Sequence, residues 1–352
     1  MMTTTTEQHQ PQTTSGGLLI EQCHGLVQIQ DAGRFGYAAL GITQGGWLDA
    51  TSARLANALV GNRVSDFKLG NSTIALARPA AVLEIPLGGF RVQALHPCCV
   101  AVTGANWPLY KNGIPVSRYS RIQLQQGDRL SIGFTPNQGA RCYLAVHGGF
   151  QTPVVLGSQS MVFREQLSPA TCTPLQIGQV LACASSLDQP HNSHPVSLAY
   201  PWHYRHRRFR RLALVLGAQA EQCHTVLPSF FNQIFSISPA SDRMGVRLKG
   251  QPLAIPPCQM VSEGLWAGAV QLPPDGHPIV MLRDHQTMGG YPKLGAICRQ
   301  SQAFLAQALP GDSCQFHAIS AEQALLQARQ HEQQLQSLEQ QLWAELTGIS
   351  LC

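Results

Sequence analysis

At 352 residues the chain is long enough for two domains of about 150 residues each, and 44% hydrophobic against 12% charged residues suits sizeable globular cores. No run approaches the ~20 apolar residues that a membrane helix needs, and the net charge of +5 is matched by the five arginines of "RHRRFRR" (205–211) alone. Basic charge confined to one run points to a solvated inter-domain or partner contact, not the charged face of a nucleic-acid binder.

Thirty-two glycines and 23 prolines spread along the chain predict many short strands joined by turns, hence a mainly β fold. Residues 1–17, rich in Thr and Gln, read as disordered and carry no signal-peptide pattern. Eleven cysteines, an odd number without a C-x-x-C pair, fit a reduced, cytoplasmic protein. The adjacent Cys98 and Cys99 read as small core residues.

The first β domain is expected over 18–186. Within it "DATSARLANALVG" (49–61) predicts a helix with Asp49 as N-cap and Gly61 at its end. "AVLEIPLGG" (81–89) predicts a strand carrying Val82 and the series Leu83, Ile85 and Leu87. "RIQLQQGDRLSIGF" (121–134) predicts a hairpin turning at Gln126–Asp128. Residues 187–211 lack periodicity and read as a linker. Its histidines, His191, His194, His203 and His206, have no Cys or carboxylate at ligand spacing, so they do not make a metal set.

A second β domain is expected over 212–320, with a Gly-Asp turn in "LPGDSCQFHAI" echoing "QQGDRLSIGF". Residues 321–346 predict an amphipathic helix opened by a Ser320/Gln323 capping box, with Leu335, Leu338, Leu342 and Leu346 at helical spacing. Packing on its own domain and contact with a partner protein both remain open for it.

Walker, dinucleotide-binding, H-E-x-x-H and G-x-S-x-G motifs are all absent. Three dense stretches remain: "QDAGRFGYAALGITQGGWLD" (30–49), "SPASDRMGVRLKG" with "SEGLWAGAVQLPPDGHPIVM" (238–281), and "RDHQTMGGYPKLG" (283–295). Arg34, Arg243 and Lys293 supply positive charge. Gly289 and Gly290 allow close backbone approach, while Gln286, Thr287 and Tyr291 can orient a carbonyl. This combination suits a small anionic carbonyl compound held at the mouth of the second domain. The alternative is that the glycines serve tight corners, and that Asp31–Arg34 and Asp242–Arg243 are fold-holding pairs.

These stretches, with "LANALVGN", "LEIPLGG", "CYLAVHGGF" and "VLGSQS" in the same order, resemble the family of 5-oxoprolinase C subunits, also called KipA-like or allophanate hydrolase subunit 2-like. The same domain forms part of the biotin-dependent carboxyltransferase region of urea carboxylase. The resemblance implies two cyclophilin-like β-barrels in tandem. It further implies one part of a heteromeric enzyme, working with the 5-oxoprolinase B (KipI-like) and A subunits to open 5-oxoproline to glutamate with ATP hydrolysis.

Carried onto this chain, the resemblance implies catalytic roles for Lys293, Gln286, Thr287, Asp284 and Glu263. It implies substrate binding by Arg243, Gly289, Gly290, Tyr291, Asp31, Arg34 and Asp49. ATP would be handled with the partner subunits, without a metal ligand set in this chain. None of the four lysines, Lys68, Lys111, Lys249 and Lys293, has the setting of a biotin attachment site. The chain departs from the family pattern at Gly45, Gln159, Met161, His285 and Met288, and residues 63–80 look like an insertion. The alternatives are a carboxyltransferase acting on urea or another small amide with an external biotin carrier, and a regulatory protein that binds a kinase inhibitor.

Overall fold

The computed structural model describes residues 16–24, 26–62, 67–69, 72–74, 79–185, 196–198, 207–255 and 260–348. The predicted disordered N-terminus falls almost wholly outside these residues, as do the four linker histidines. Of the apparent insertion, the strands Phe67–Leu69 and Ser72–Ile74 pair with each other.

The first half of the chain builds a six-stranded and a five-stranded sheet around a shared core. Leu18, Ile20, Leu83, Ile85, Val92, Val100, Ile122, Leu130 and Leu144 all contribute to it. The expected hairpin at 121–134 is instead a corner. Strand Arg121–Leu124 pairs with Cys98–Gly104 in one sheet, whereas Arg129–Ile132 pairs with Phe90–Ala94 and Leu109–Lys111 in the other. Alternation is correct in both strands, but it turns Ile122 and Leu130 toward one core from opposite sheets, so the two strands face each other without pairing. Strand Val82–Pro86 likewise stops short of Leu87, which is exposed with φ 54°.

Helix Ala50–Leu59 forms where predicted. The Asp49 carboxylate caps it by accepting from the Ser52 N–H at 3.1 Å, and Gly61 follows at φ 80°. The helix covers the outer face of the five-stranded sheet, which is why Cys98–Gly104 is buried at every position. Cys98 and Cys99 are both core residues.

The second half is a closed seven-stranded barrel, ordered Phe209–Leu216, Lys293–Ile297, Ala269–Gln271, Ile279–Met281, Gly245–Lys249, Phe235–Ile237 and Ser313–Ala318. Its first strand begins at Phe209, inside the stretch read as linker, because Phe209–Leu214 pair in parallel with Ser313–Ala318 to close the barrel. Phe230 stacks on Phe316 at 4.5 Å between ring centroids in its core. Leu48, from the first half, is buried in that same core and fastens the two halves together.

Helix Ala321–Thr347 carries the expected capping box. Its C-terminal half docks beside Ala50–Leu59 through Leu335, Leu342 and Leu346, while Leu325 and Leu326 near its start are exposed. Arg54 holds it by a fork onto Glu339 at 2.6 and 2.9 Å and a third bond to Glu332 at 2.8 Å. Glu339→Ala is expected to destabilise the fold by about 3 kcal/mol, because it strips a buried cation of its main partner.

Burial alone would raise the Glu332 carboxyl, but the Arg54 hydrogen bond and charge outweigh it and hold it below the ordinary value of 4.5. A depressed folded value means that this contribution is complete above 4.5 and lost as pH falls through the folded value. Denaturant titrations of the parent, Glu339→Ala and Glu332→Gln at neutral and acidic pH check both statements, since the gap between the parent and Glu332→Gln narrows in acid.

Candidate functional site

The loop after strand Ile279–Met281 links two polar clusters. The first lies between the halves. Arg243, from the turn before Gly245–Lys249, reaches Asp284 with Nε at 2.9 Å and Nη2 at 3.0 Å. Its Nη1 donates to Glu84, and Nη2 also donates to the Gly46 carbonyl at 2.7 Å. Glu84 further accepts from the Tyr143 hydroxyl at 2.9 Å and from the Leu48 N–H at 3.0 Å, with Arg141 at 3.5 Å.

These charges are deeply buried, and their titration follows from that. Burial opposes ionisation of Glu84, but Arg243, Arg141 and the donated hydrogen bonds reverse the effect and lower its pKa. Asp284 is pushed up, because burial outweighs the Arg243 charge there. Tyr143 is raised by burial and by the neighbouring Glu84 and Asp49 charges.

The second cluster surrounds Lys293. Alternation in Ala269–Gln271 sends Val270 into the barrel core and Gln271 to the outer face, where it lies opposite Lys293 across a bulge. The expectation of a site in the barrel mouth is thereby revised: these side chains lie on the outer wall, beneath a ribbon in which Glu263–Gly264 pairs with Met288–Gly289. The Lys293 ammonium pairs with Glu263 at 2.8 Å, donates to the Gly264 carbonyl at 3.0 Å and sits 4.6 Å from the Trp266 ring centroid. Gln219 accepts from the Lys293 N–H at 2.7 Å and donates to Glu263. Hydrogen bonds from Lys293, then Gln219, hold the Glu263 carboxyl below its ordinary value.

The other sequence-selected residues divide between these clusters and the frame around them. Gln286 approaches Gly289, the Thr287 carbonyl accepts from the Leu265 N–H at 2.9 Å, and Gly290 and Tyr291 are exposed. His285 is buried, its Nδ1 2.7 Å from the Gln286 carbonyl, and burial lowers its pKa. Asp31 accepts from the Ser158 and Ser160 hydroxyls at 2.6 and 2.5 Å and from the Gly33 and Gln159 N–H groups at 2.8 and 2.7 Å. Arg34 donates to the Val155 and Ser160 carbonyls. Asp49, besides capping its helix, accepts from Gln307 at 2.9 Å.

The departures from the family pattern also have local roles. Gln159 donates to Phe150 and Thr152, the Met161 sulfur accepts from the Ile29 N–H at 3.2 Å, and Met288 is exposed. Gly45, at φ 64°, donates its N–H to the Arg283 carbonyl across the junction.

Sequence reasoning missed Glu84, Gln219, Trp266 and Gln271. Two of these left a signal: Glu84 is a lone acid in an apolar strand, and Gln271 a lone amide in "AVQL". Gln219 left none, because it reaches Lys293 from 74 positions away. Among the described residues, no group of three or more His, Cys, Asp or Glu is placed to hold a metal, and no helix is long and apolar enough to cross a membrane.

Two linked β units, the second a closed barrel with a buried lysine on its wall, match the family model for the carboxyltransferase domain, subdomain A and B, over residues 40–318. The chain belongs to this family. It is 33% identical to the C subunit of 5-oxoprolinase from Escherichia coli over 316 residues, covering 90% of this chain and 94% of that one. The Haemophilus influenzae protein of the same name is 31% identical over 309 residues, covering 86% and 92%.

Among solved structures, that of TTHA0988 is 29% identical with a TM-score of 0.73. It is matched over 88% of this chain, which spans 57% of that one. The Kluyveromyces lactis urea carboxylase, 23% identical and matched over 96% of this chain and 30% of its own, shares the fold with a TM-score of 0.77.

Proposed function

We propose that the chain is the C subunit of a heteromeric, cytoplasmic, ATP-dependent 5-oxoprolinase, active together with its A and B subunits. The observation that carries this reading is near end-to-end similarity to two proteins of that name, covering 92% and 94% of their lengths.

The chemistry of the Lys293 cluster supports it. An unactivated lactam is a poor electrophile. Transfer of the ATP γ-phosphoryl group to the lactam oxygen, with release of ADP, makes the ring carbon open to water. The C–N bond of the adduct then breaks to leave the γ-acyl phosphate of glutamate, and a second water releases phosphate and glutamate. Lys293 binds the substrate carboxylate or the phosphoryl group. Gln286, Thr287 and the Gly289–Gly290 amides face the developing oxyanion, each donor worth roughly 3 kcal/mol. Glu263, ionised and partly exposed, is the base for water; Asp284 is tied up by the Arg243 fork. Arg243, Asp31, Arg34 and Asp49 position the loops that frame the site.

The assay is ADP and glutamate formation from ATP and 5-oxoproline by the assembled subunits, with the two products expected one for one. The urea carboxylase-like fold favours a second reading, carboxyl transfer to urea or another small amide from an external biotin carrier. Assembled subunits that release no glutamate but carboxylate urea would establish that reading instead.

A further inference from the structure

Gln271 has no place in the reaction outlined above, yet its position is unusual. It is 2% exposed, and its Nε2 has no hydrogen-bond partner among the described residues. Leaving a buried amide donor unsatisfied is costly, and such groups are rare in folded proteins unless something else completes them.

The surroundings indicate where the missing acceptor belongs. Gln271 lies opposite Lys293 on the outer wall. A Cβ added to Gly289 would sit 2.7 Å from the Gln271 Nε2, 2.8 Å from Leu265 Cδ1 and 3.3 Å from the Gln286 Nε2. Two carboxamides therefore converge on one glycine, and that glycine pairs with Glu263, the partner of Lys293. Gly289 does not have a positive φ, so close approach, not backbone conformation, is what favours glycine there.

We infer that Gln271 is a substrate-binding residue of this site, its Nε2–H donating to the carboxylate of a small anionic lactam that also meets Gln286 and the Lys293 ammonium. The inference rests on the proposed oxoprolinase reading and adds the group that selects an anionic substrate. The neutrality of the amide matters. Lys293 already has Glu263 as counter-charge, so a second carboxylate from the substrate is accommodated only if the remaining wall supplies donors without negative charge. Glutamate at 271 keeps the size, removes the donors and adds repulsion.

The test uses the assembled complex with 5-oxoproline as probe, and with 2-pyrrolidinone, the same lactam without its carboxylate. Calorimetric binding and steady-state kinetics are measured for the parent, Gln271→Glu and Gln271→Leu. Loss of a buried hydrogen bond to a charged acceptor is expected to weaken 5-oxoproline binding about ten- to a hundredfold in Gln271→Leu, and more in Gln271→Glu. The effect should appear in KM more than in kcat, with weak 2-pyrrolidinone binding unchanged. Gly289→Ala, which displaces the Gln271 amide without altering it, is expected to give the same KM increase.

A parent complex that binds 5-oxoproline while Gln271→Glu binds it equally well would overturn the role of Gln271 alone. A parent complex that neither binds nor turns over 5-oxoproline would overturn this inference together with the reading beneath it.

Discussion

Lys293→Ala in the assembled complex is expected to lower glutamate formation on the order of a thousandfold, the scale of losing a preorganised charged donor at a reacting group. Lys293 is 5% exposed, and its ammonium is fixed by Glu263, the Gly264 carbonyl and the Trp266 ring. A lysine that served only the fold would stabilise the ribbon of Glu263–Gly264 and Met288–Gly289, and its loss would show as instability.

Lys293→Met separates the two roles, because it keeps the apolar stem over Trp266 and removes the charge. The expected outcome is that both variants still assemble with their partners and both lose turnover. Loss of assembly with Ala and full turnover with Met would give the lysine a structural role only. Steady-state kinetics and size-exclusion chromatography on the same samples decide between them.

Glu84→Gln is expected to destabilise the protein by about 3–5 kcal/mol, the cost of removing one partner from a buried ion network. Glu84 is 2% exposed and is approached by Arg243, Arg141, the Tyr143 hydroxyl and the Leu48 N–H. The substitution leaves two largely buried guanidinium groups, with Asp284 as the carboxylate still paired to Arg243. Since Arg243 belongs to the barrel and Glu84 to the five-stranded sheet, the two halves are expected to lose cooperativity and unfold in two steps in urea.

The pH dependence carries a definite sign. Glu84 has a lowered folded pKa, so its contribution is complete above the ordinary 4.5 and lost as pH falls through the folded value. Asp284 has a raised one, so its ionisation works against stability as pH rises from the ordinary 3.8 toward that value. The stability difference between parent and Glu84→Gln should therefore shrink in acid, as read by urea titrations from neutral pH downward.

The predictability of these features from sequence followed their range. Local signals were readable: the Asp49 cap, the Ser320/Gln323 capping box and the strand within 81–89 depend on neighbours a few positions away. Partner choice was not. Alternation in 121–134 placed Ile122 and Leu130 inward correctly, but nothing local distinguishes a hairpin from a corner between two sheets.

The site shows the same division. Glycines and cations in 283–295 marked the loop, and Glu263, Gln286 and Lys293 do gather at one ribbon. Their arrangement on the outer wall arises from the bulge between Val270 and Gln271, which no residue pattern announces. Arg243 and Asp284 read as site residues because a buried ion pair and a ligand-binding pair use the same residue types. Glu84, 159 positions from Arg243 along the chain, reveals the network they belong to.

The most direct test of the account is glutamate release from 5-oxoproline and ATP by the A and B partner subunits, with this chain present and with it omitted. The account predicts glutamate only when the chain is present, and none when it carries Lys293→Met. Equal release without the chain, or full release with Lys293→Met, would contradict it.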